Sequence, residues 1–433
     1  MKKRERPRKN NNIQNMRILL ISDHADPLTE IGSKEAGGQN IYVLYLSYFL
    51  SRLGVFVDVY TRSDSKDKHE VVKINDFFRV IRVKAGPKRY IPRDNFLELV
   101  DEFTINIMRR IEREKIQYNI IFSNYWFSAK IALKIAKKIK LPIVHVYHSI
   151  GKIRFESLKK LGLLKNDLDV FQERMKTELE IAMNCARIIS TSPVEKKIIE
   201  NIFNIDPDKI CVIPIGVDVD LFHPIKNKSL IKIDDRIDTA TFNKCILYVG
   251  RFERRKGIGT LLFAFNEILR KYPSSILIII GGGKGKDQKE MDVEELKHYC
   301  RIVDELNINE KVKFLGPKKQ KTLIKYYNIA DVVVVPSYYE PFGIVPLESM
   351  ACGTPVVASN IGGLKYTVRN GATGLLALPR NYKDLAEKII KVLDNGKSCY
   401  LNKCIKRIES NFTWKKISRK VLELFESVSA NVK

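Results

Sequence analysis

The sequence predicts an α/β protein of two Rossmann-like domains, each a parallel sheet, with the strand ends of both facing an interdomain cleft. Three observations carry that reading. Short apolar runs alternate with helical stretches up to residue 215, the pattern that builds a parallel sheet from β-α repeats. A second series of the same kind opens at Ile246. Between the two lies Gly216 to Lys244, a polar, charge-rich stretch without periodicity that carries Asp218, Asp220 and Pro224, and the hinge belongs there.

Taken in order, residues 1–15 form a Lys/Arg/Asn run with no apolar core, read as a disordered basic tail and not as a secretory leader. The first domain, 16–215, has apolar runs at Met16 to Ser22, Val55 to Tyr60, Phe78 to Val83, Ile120 to Ser123, Ile143 to Tyr147, Ile188 to Thr191 and Cys211 to Pro214. The second, 216–412, has them at Ile246 to Val249, Ile276 to Ile280, Val312 to Leu315, Val332 to Pro336 and Val356 to Ala358. These last runs are almost wholly apolar, as strands covered on both faces should be.

A chain of 433 residues that is 45% hydrophobic can bury two sizeable cores. Its greasiest stretch, Ile41 to Tyr60, is interrupted by Arg52, Gly54 and Asp58, so no span of the roughly 18–20 apolar residues that cross a bilayer is expected. The seven cysteines are odd in number and show neither a C-x-x-C pair nor zinc spacing; they read as reduced thiols of a cytoplasmic protein without a metal site. Lys and Arg outnumber Asp and Glu by 76 to 50, a net charge of +26 that attracts any polyanion without choosing among them. No aromatic RNA-binding signature or zinc finger accompanies that charge, and no nucleic-acid partner is expected.

Chemistry-bearing residues cluster just beyond the strands, where ligands of such sheets bind. Gly37, Gly38 and Asn40 open a helix after the first strand; glycines admit a close backbone approach, and a helix N-terminus offers free amides to phosphate. A tight loop needing glycine is the competing reading. Arg251 and Lys256 follow the first strand of the second domain, where two fixed cations can neutralise a departing diphosphate, or else are solvated surface charges. Glu340 sits in a loop and Glu348 on the helix after it, with Phe342, Gly343 and Ile344 supplying amides at the helix start. Such carboxylates hold sugar and ribose hydroxyls, cap and decorate a helix, or form a hydrolase pair, and the basic residues nearby favour phosphate chemistry. His148 ends the fifth apolar run and points to the same crevice from the other wall.

These residues, Gly37-Gly38-Gln39-Asn40, Arg251/Lys256 and Glu340/Glu348, resemble in order and spacing the retaining family 4 glycosyltransferases. Within that family the strings from Ser22 to Leu28, Val57 to Arg62 and Pro336 to Gly343 resemble the branch of sucrose-phosphate synthases, sucrose synthases and inositol-phosphate glycosyltransferases. The resemblance implies a GT-B fold, with an acceptor domain, a donor domain and a last segment, 413–433, whose helix crosses back to the first domain. It implies a retaining hexosyl transfer from a nucleotide diphosphate sugar, expected to be a UDP-sugar, without metal or other cofactor. Arg251 and Lys256 would bind the diphosphate, Glu348 the ribose, and Glu340 with Phe342, Gly343 and Ile344 the sugar, beside His148. A small hydroxyl acceptor, expected to be phosphorylated, would meet Lys88, Tyr125, Ser149 and Arg174.

Two alternatives stand beside this one. The lysines from Lys130 to Lys140 flank an apolar stripe, so the same enzyme with a lipid or glycan acceptor at an anionic inner membrane face is conceivable, although a stretch between two strands reads first as a crossover helix. A catalytically silent binder of polyanions is the other, and the intact Arg251, Lys256, Glu340 and Glu348 argue against it.

Overall fold

The computed structural model describes residues 16–29, 37–92, 95–160, 162, 168–227, 231, 233–234, 237, 241–282 and 290–430. The basic run 1–15 lies outside the described residues. The first half runs β1 (Arg17–Ile21), α1 (Gly38–Ser51), β2 (Phe56–Arg62), β3 (Val71–Asn75), β4 (Phe78–Val83), α2 (Val100–Glu114), β5 (Ile120–Asn124), α3 (Trp126–Ile139), β6 (Ile143–Val146), α4 (Gly151–Lys160), α5 (Leu168–Asn184), β7 (Arg187–Ser190), α6 (Pro193–Phe203) and β8 (Ile210–Val212). The strands form one eight-stranded sheet in the order β3-β4-β2-β1-β5-β6-β7-β8. Along β1 the apolar residues alternate between two cores, Ile18 and Leu20 on one face and Leu19 and Ile21 on the other. Burial of both faces is why the strand reads as a continuous apolar run.

The second half continues with β9 (Lys244–Val249), α7 (Ile258–Lys271), β10 (Ser275–Ile280), α8 (Glu290–Glu305), β11 (Val312–Phe314), α9 (Gln320–Ile329), β12 (Val332–Val335), α10 (Ile344–Ala351), β13 (Val356–Ser359), α11 (Leu364–Thr367), β14 (Gly374–Ala377), α12 (Tyr382–Asn395), α13 (Ser398–Asn411) and α14 (Trp414–Ala430). Its six strands are all parallel, in the order β11-β10-β9-β12-β13-β14. In each sheet the order reverses about the first strand, with β2 and β5 flanking β1, and β10 and β12 flanking β9. A crevice opens at such a reversal beyond the carboxyl ends of the strands.

Two strands depart from the sequence reading. β3 is antiparallel to β4, joined to it through Asp76 and Phe77, and lies half-exposed at the sheet edge. An edge strand needs no apolar run, so Val-Val-Lys-Ile-Asn gave no signal. β14 is four residues long and opens on Gly374.

The two halves are joined twice, side by side. Val217 N–H donates to Phe412 O at 2.7 Å, and Val217 bridges to Thr413. α14 then returns to the first half, where Trp414 stacks on Tyr45 with ring centres 6.0 Å apart and Phe425 meets Phe122 at 5.3 Å. A side chain at residue 216 would begin 2.6 Å from the Trp414 ring, so the junction requires Gly216. α3 is a buried crossover helix. Its apolar side faces the core, and Lys130, Lys134 and Lys137 pair with Glu173, Asp101 and Glu180 of the neighbouring helices. That packing leaves it no free apolar stripe for a bilayer. No helix among the described residues is long and apolar enough to cross a membrane.

Candidate active site

The first wall of the cleft is built on the ends of β1, β5 and β6. Gly37 caps α1, and its N–H donates to Asn40 Oδ1 at 2.9 Å while Asn40 Nδ2 donates to Asp26 O at 2.8 Å. Asn40 is thus buried and fixes the loop that presents the two glycines. Their backbones face the opposite half: a Cβ on Gly37 would stand 3.9 Å from Arg251 Nη2, and one on Gly38 3.4 Å from Ile344 Cδ1. Any longer side chain would fill the cleft at this point.

His148 lies two residues beyond β6 with φ +56°. Its Nε2 is 2.9 Å from Asn124 Oδ1, and its ring meets the edge of Tyr42 at 5.0 Å. Burial, aided by His24, pushes its pKa down to about 3, so the imidazole is neutral at physiological pH. Asn124 Nδ2 is buried without a hydrogen-bond partner among the described residues.

Tyr125, Ser149 and Arg174 come together at one point. Arg174 donates to the Tyr125 hydroxyl at 3.1 Å and to Ser149 O at 2.5 Å, and lies over the Tyr125 ring. Its charge is balanced by Glu178 at 2.7 Å, which also accepts from Gly151 N–H at 2.8 Å. Arg174 and Tyr125 are buried and Ser149 half-buried. Lys88 stands elsewhere, exposed on the wall of a recess between β4 and α2.

The second wall is built on β9 and β12. Arg251 is exposed, and its Nε is 3.1 Å from Glu253, which also binds Arg255 Nε at 2.6 Å. Burial raises the Glu253 carboxyl, but Arg251, Arg255 and Lys256 outweigh it and hold Glu253 far below the usual carboxylate range. Lys256 Nζ donates to Glu340 Oε2 at 2.5 Å, joining the two motifs directly. Burial lowers the Lys256 pKa against the pull of Glu340. Gly257 has φ +73°, and a Cβ there would lie 2.1 Å from Pro336 O, so glycine is what lets the β9 loop seat against the β12 loop.

Gly343 caps α10 at φ +92°, Phe342 is buried, and Ile344 begins the helix toward Gly38. Glu348 is buried on α10; the Tyr327 hydroxyl donates to it at 2.7 Å and Gln320 Nε2 at 3.3 Å. Burial raises its pKa to about 7. Tyr45 of the first half reaches Gln320 at 3.3 Å, so this carboxylate is tied across the cleft.

Several residues at the cleft escaped the sequence reading. Tyr339 brings its phenol to the side chain of Ser149 of the other half, within the field of Arg174. Gln320 and Tyr327 orient Glu348 from α9, a helix with no motif to mark them. Gly362 and Gly363 pass so close to Glu340 and Pro341 that a Cβ would fall 2.2 and 2.3 Å from their carbonyl oxygens. A glycine pair just past an apolar run was the available signal for that contact.

Comparison with known proteins agrees with this geometry. Residues 36–221 match the family described as Glycosyltransferase Family 4, and residues 232–410 match Glycosyl transferases group 1. The D-inositol 3-phosphate glycosyltransferase of Corynebacterium aurimucosum is 32% identical over 382 residues, 88% of each chain. That of Frankia alni is 32% identical over 379 residues, 85% of this chain and 89% of its own. Among solved structures, sucrose-phosphate synthase from Thermosynechococcus elongatus superposes with a TM-score of 0.85 at 32% identity, covering 96% of this chain and 100% of that one. With relatives matched along nearly its whole length and both halves of its cleft accounted for, the chain belongs to the family 4 glycosyltransferases and has the GT-B fold.

Proposed function

We propose that this glycosyltransferase moves a hexosyl group from a UDP-sugar to a hydroxyl of a small phosphorylated sugar or polyol, with retention at the anomeric carbon. The observation that carries the proposal is the meeting of Arg251 and Ile344 with the Gly37–Gly38 helix start across one cleft, on the same wall that carries the Lys256–Glu340 pair. Cations and free helix amides on facing walls suit a diphosphate. Glu348 would take the ribose, and Glu340 with the amides of Phe342, Gly343 and Ile344 the transferred sugar. Neutral His148 donates or accepts one hydrogen bond beside that sugar and adds no charge.

Tyr125, Ser149 and Arg174 support a phosphorylated acceptor, since they gather two hydroxyls and a guanidinium at one point. The names of the relatives, which act on inositol 3-phosphate or make sucrose phosphate, point the same way. An acceptor phosphate would enter where the Tyr339 phenol now lies.

In the reaction the bond from the anomeric carbon to the diphosphate oxygen breaks, and a bond to the acceptor oxygen forms on the same face. The acceptor proton passes to the departing phosphate oxygen. Arg251 and Lys256 neutralise that group as it leaves, which makes a divalent cation unnecessary. The test is UDP release and product mass with UDP-glucose and UDP-N-acetylglucosamine against fructose 6-phosphate, inositol phosphate, free sugars and lipid extract. Transfer to a phosphorylated acceptor that persists in EDTA and disappears in Glu340→Ala supports the reading. Transfer to lipid alone, or to nothing, overturns it.

A further inference from the structure

The recess that takes Lys88 lies apart from the cleft, between α2 and the end of β4. It measures about 320 Å³. Its walls come from Ser63 after β2, from Lys68 and Glu70 in the β2–β3 loop, from Arg82 and Lys84 around the end of β4, and from Arg109 and Arg113 on α2. Cations far outnumber carboxylates there.

Carboxylates answer some of that charge. Arg82 is bound to Asp26 at 2.8 Å, Lys68 to Asp64 at 2.8 Å, and Arg110 to Glu70 and Glu114 at 2.5 and 2.6 Å. Lys84, Lys88, Arg109 and Arg113 have no carboxylate within ion-pair distance among the described residues. Some surface cations elsewhere find one, as Lys271 does in Asp394 and Lys388 in Asp384, and others such as Lys138 stand singly among the described residues; what sets these four apart is that they line one hollow. Arg109 and Arg113 are also one helical turn apart, where like charges repel. Four unanswered cations around one hollow raise the local potential and cost stability unless an anion enters.

The frame around them is rigid. Asn106 Nδ2 donates to Lys84 O at 2.9 Å and holds the end of β4 to α2. Buried Arg62 donates to Ala85 O at 2.8 Å and to Arg89 O at 3.0 Å, and Gly86 N–H donates to Glu102 at 2.6 Å, so the loop bearing Lys88 is pinned on both sides. The hollow suits a phosphate group with a few attached atoms and is too small for a macromolecule.

We infer that this recess is a second anion site, distinct from the transfer cleft, that binds a phosphate-bearing small molecule or headgroup through Lys84, Arg109 and Arg113. Because a diphosphate also suits the cleft, the test uses the full chain carrying Lys256→Ala. Inorganic pyrophosphate titrated calorimetrically into that chain should still bind. Lys84→Gln, Arg109→Gln and Arg113→Gln together should weaken it by about tenfold or more, the effect of losing several charge-assisted hydrogen bonds. Arg109→Lys with Arg113→Lys, which keeps the charge and the fold, should retain binding. No binding in the Lys256→Ala chain, or binding indifferent to the three glutamines, overturns the proposal. Flotation with phosphatidylglycerol vesicles against phosphatidylcholine vesicles then separates the sources. Flotation lost in the glutamine variant identifies a lipid headgroup, and pyrophosphate binding without flotation identifies a free phosphate compound.

Discussion

Titratable residues in and behind the cleft give opposite pH dependences. Glu348 has its pKa raised to about 7, so its stabilising proton is fully present below the ordinary carboxyl value and is lost as the pH rises through about 7. Between about pH 5 and pH 8 the native chain should lose about 2–3 kcal/mol that Glu348→Gln keeps, as urea unfolding at the two pH values will register. His145 and His148, each pushed down to about 3 by burial, act the other way. Their stabilising neutral form is complete above the ordinary imidazole value and is lost as the pH falls below about 6.5 toward 3. Consequently no step near pH 6.5 in the transfer rate should trace to His148, and the pH–rate profile of His148→Gln should keep the native shape at a lower level. Removing the cation of the Lys256–Glu340 pair by Lys256→Ala should reduce kcat by about a hundredfold or more. At this scale the motif residues were legible because strand ends mark them, whereas Tyr339, Gln320 and Tyr327 were not. Their positions follow from how α9 and the β12 loop pack, which leaves no local trace.

The apolar strands could be read almost to the residue, since a strand buried on both faces leaves an unbroken run such as Ser275–Ile280. Of the edge strands, β8 and β11 carried an apolar run and were read, whereas β3 and β14, held by a partner on one side, were missed. Loops are held by single contacts, and Gly257 shows how much rests on one of them. Gly257→Ala would combine φ +73° with a Cβ 2.1 Å from Pro336 O, pushing the β9 loop off the β12 loop. It should cost about 1–3 kcal/mol in thermal unfolding and separate Lys256 from Glu340, so its loss of transfer should exceed its loss of stability. Ile131→Ala on α3, fully buried and remote from the cleft, should do the reverse, costing about 2–5 kcal/mol while leaving kcat of the folded fraction unchanged.

The two sheets were legible from the periodicity alone; their mutual arrangement was legible only through the resemblance of the motifs, because it depends on contacts between residues hundreds of positions apart. Tyr45, Gly216, Val217 and Trp414 make several of them. Trp414→Ala should cost about 3–5 kcal/mol and split a single calorimetric unfolding transition into two, as each half loses its hold on the other. The return of α14 also bears on the order in which the protein is made. On the ribosome the whole second sheet emerges before the seventeen residues of α14, yet Tyr42 and Tyr45 of α1 lack the Trp414 ring until that helix arrives. The first half therefore waits, with a partly uncovered aromatic face, while the second half folds. The helix that closes the first domain is thus made only after the second domain.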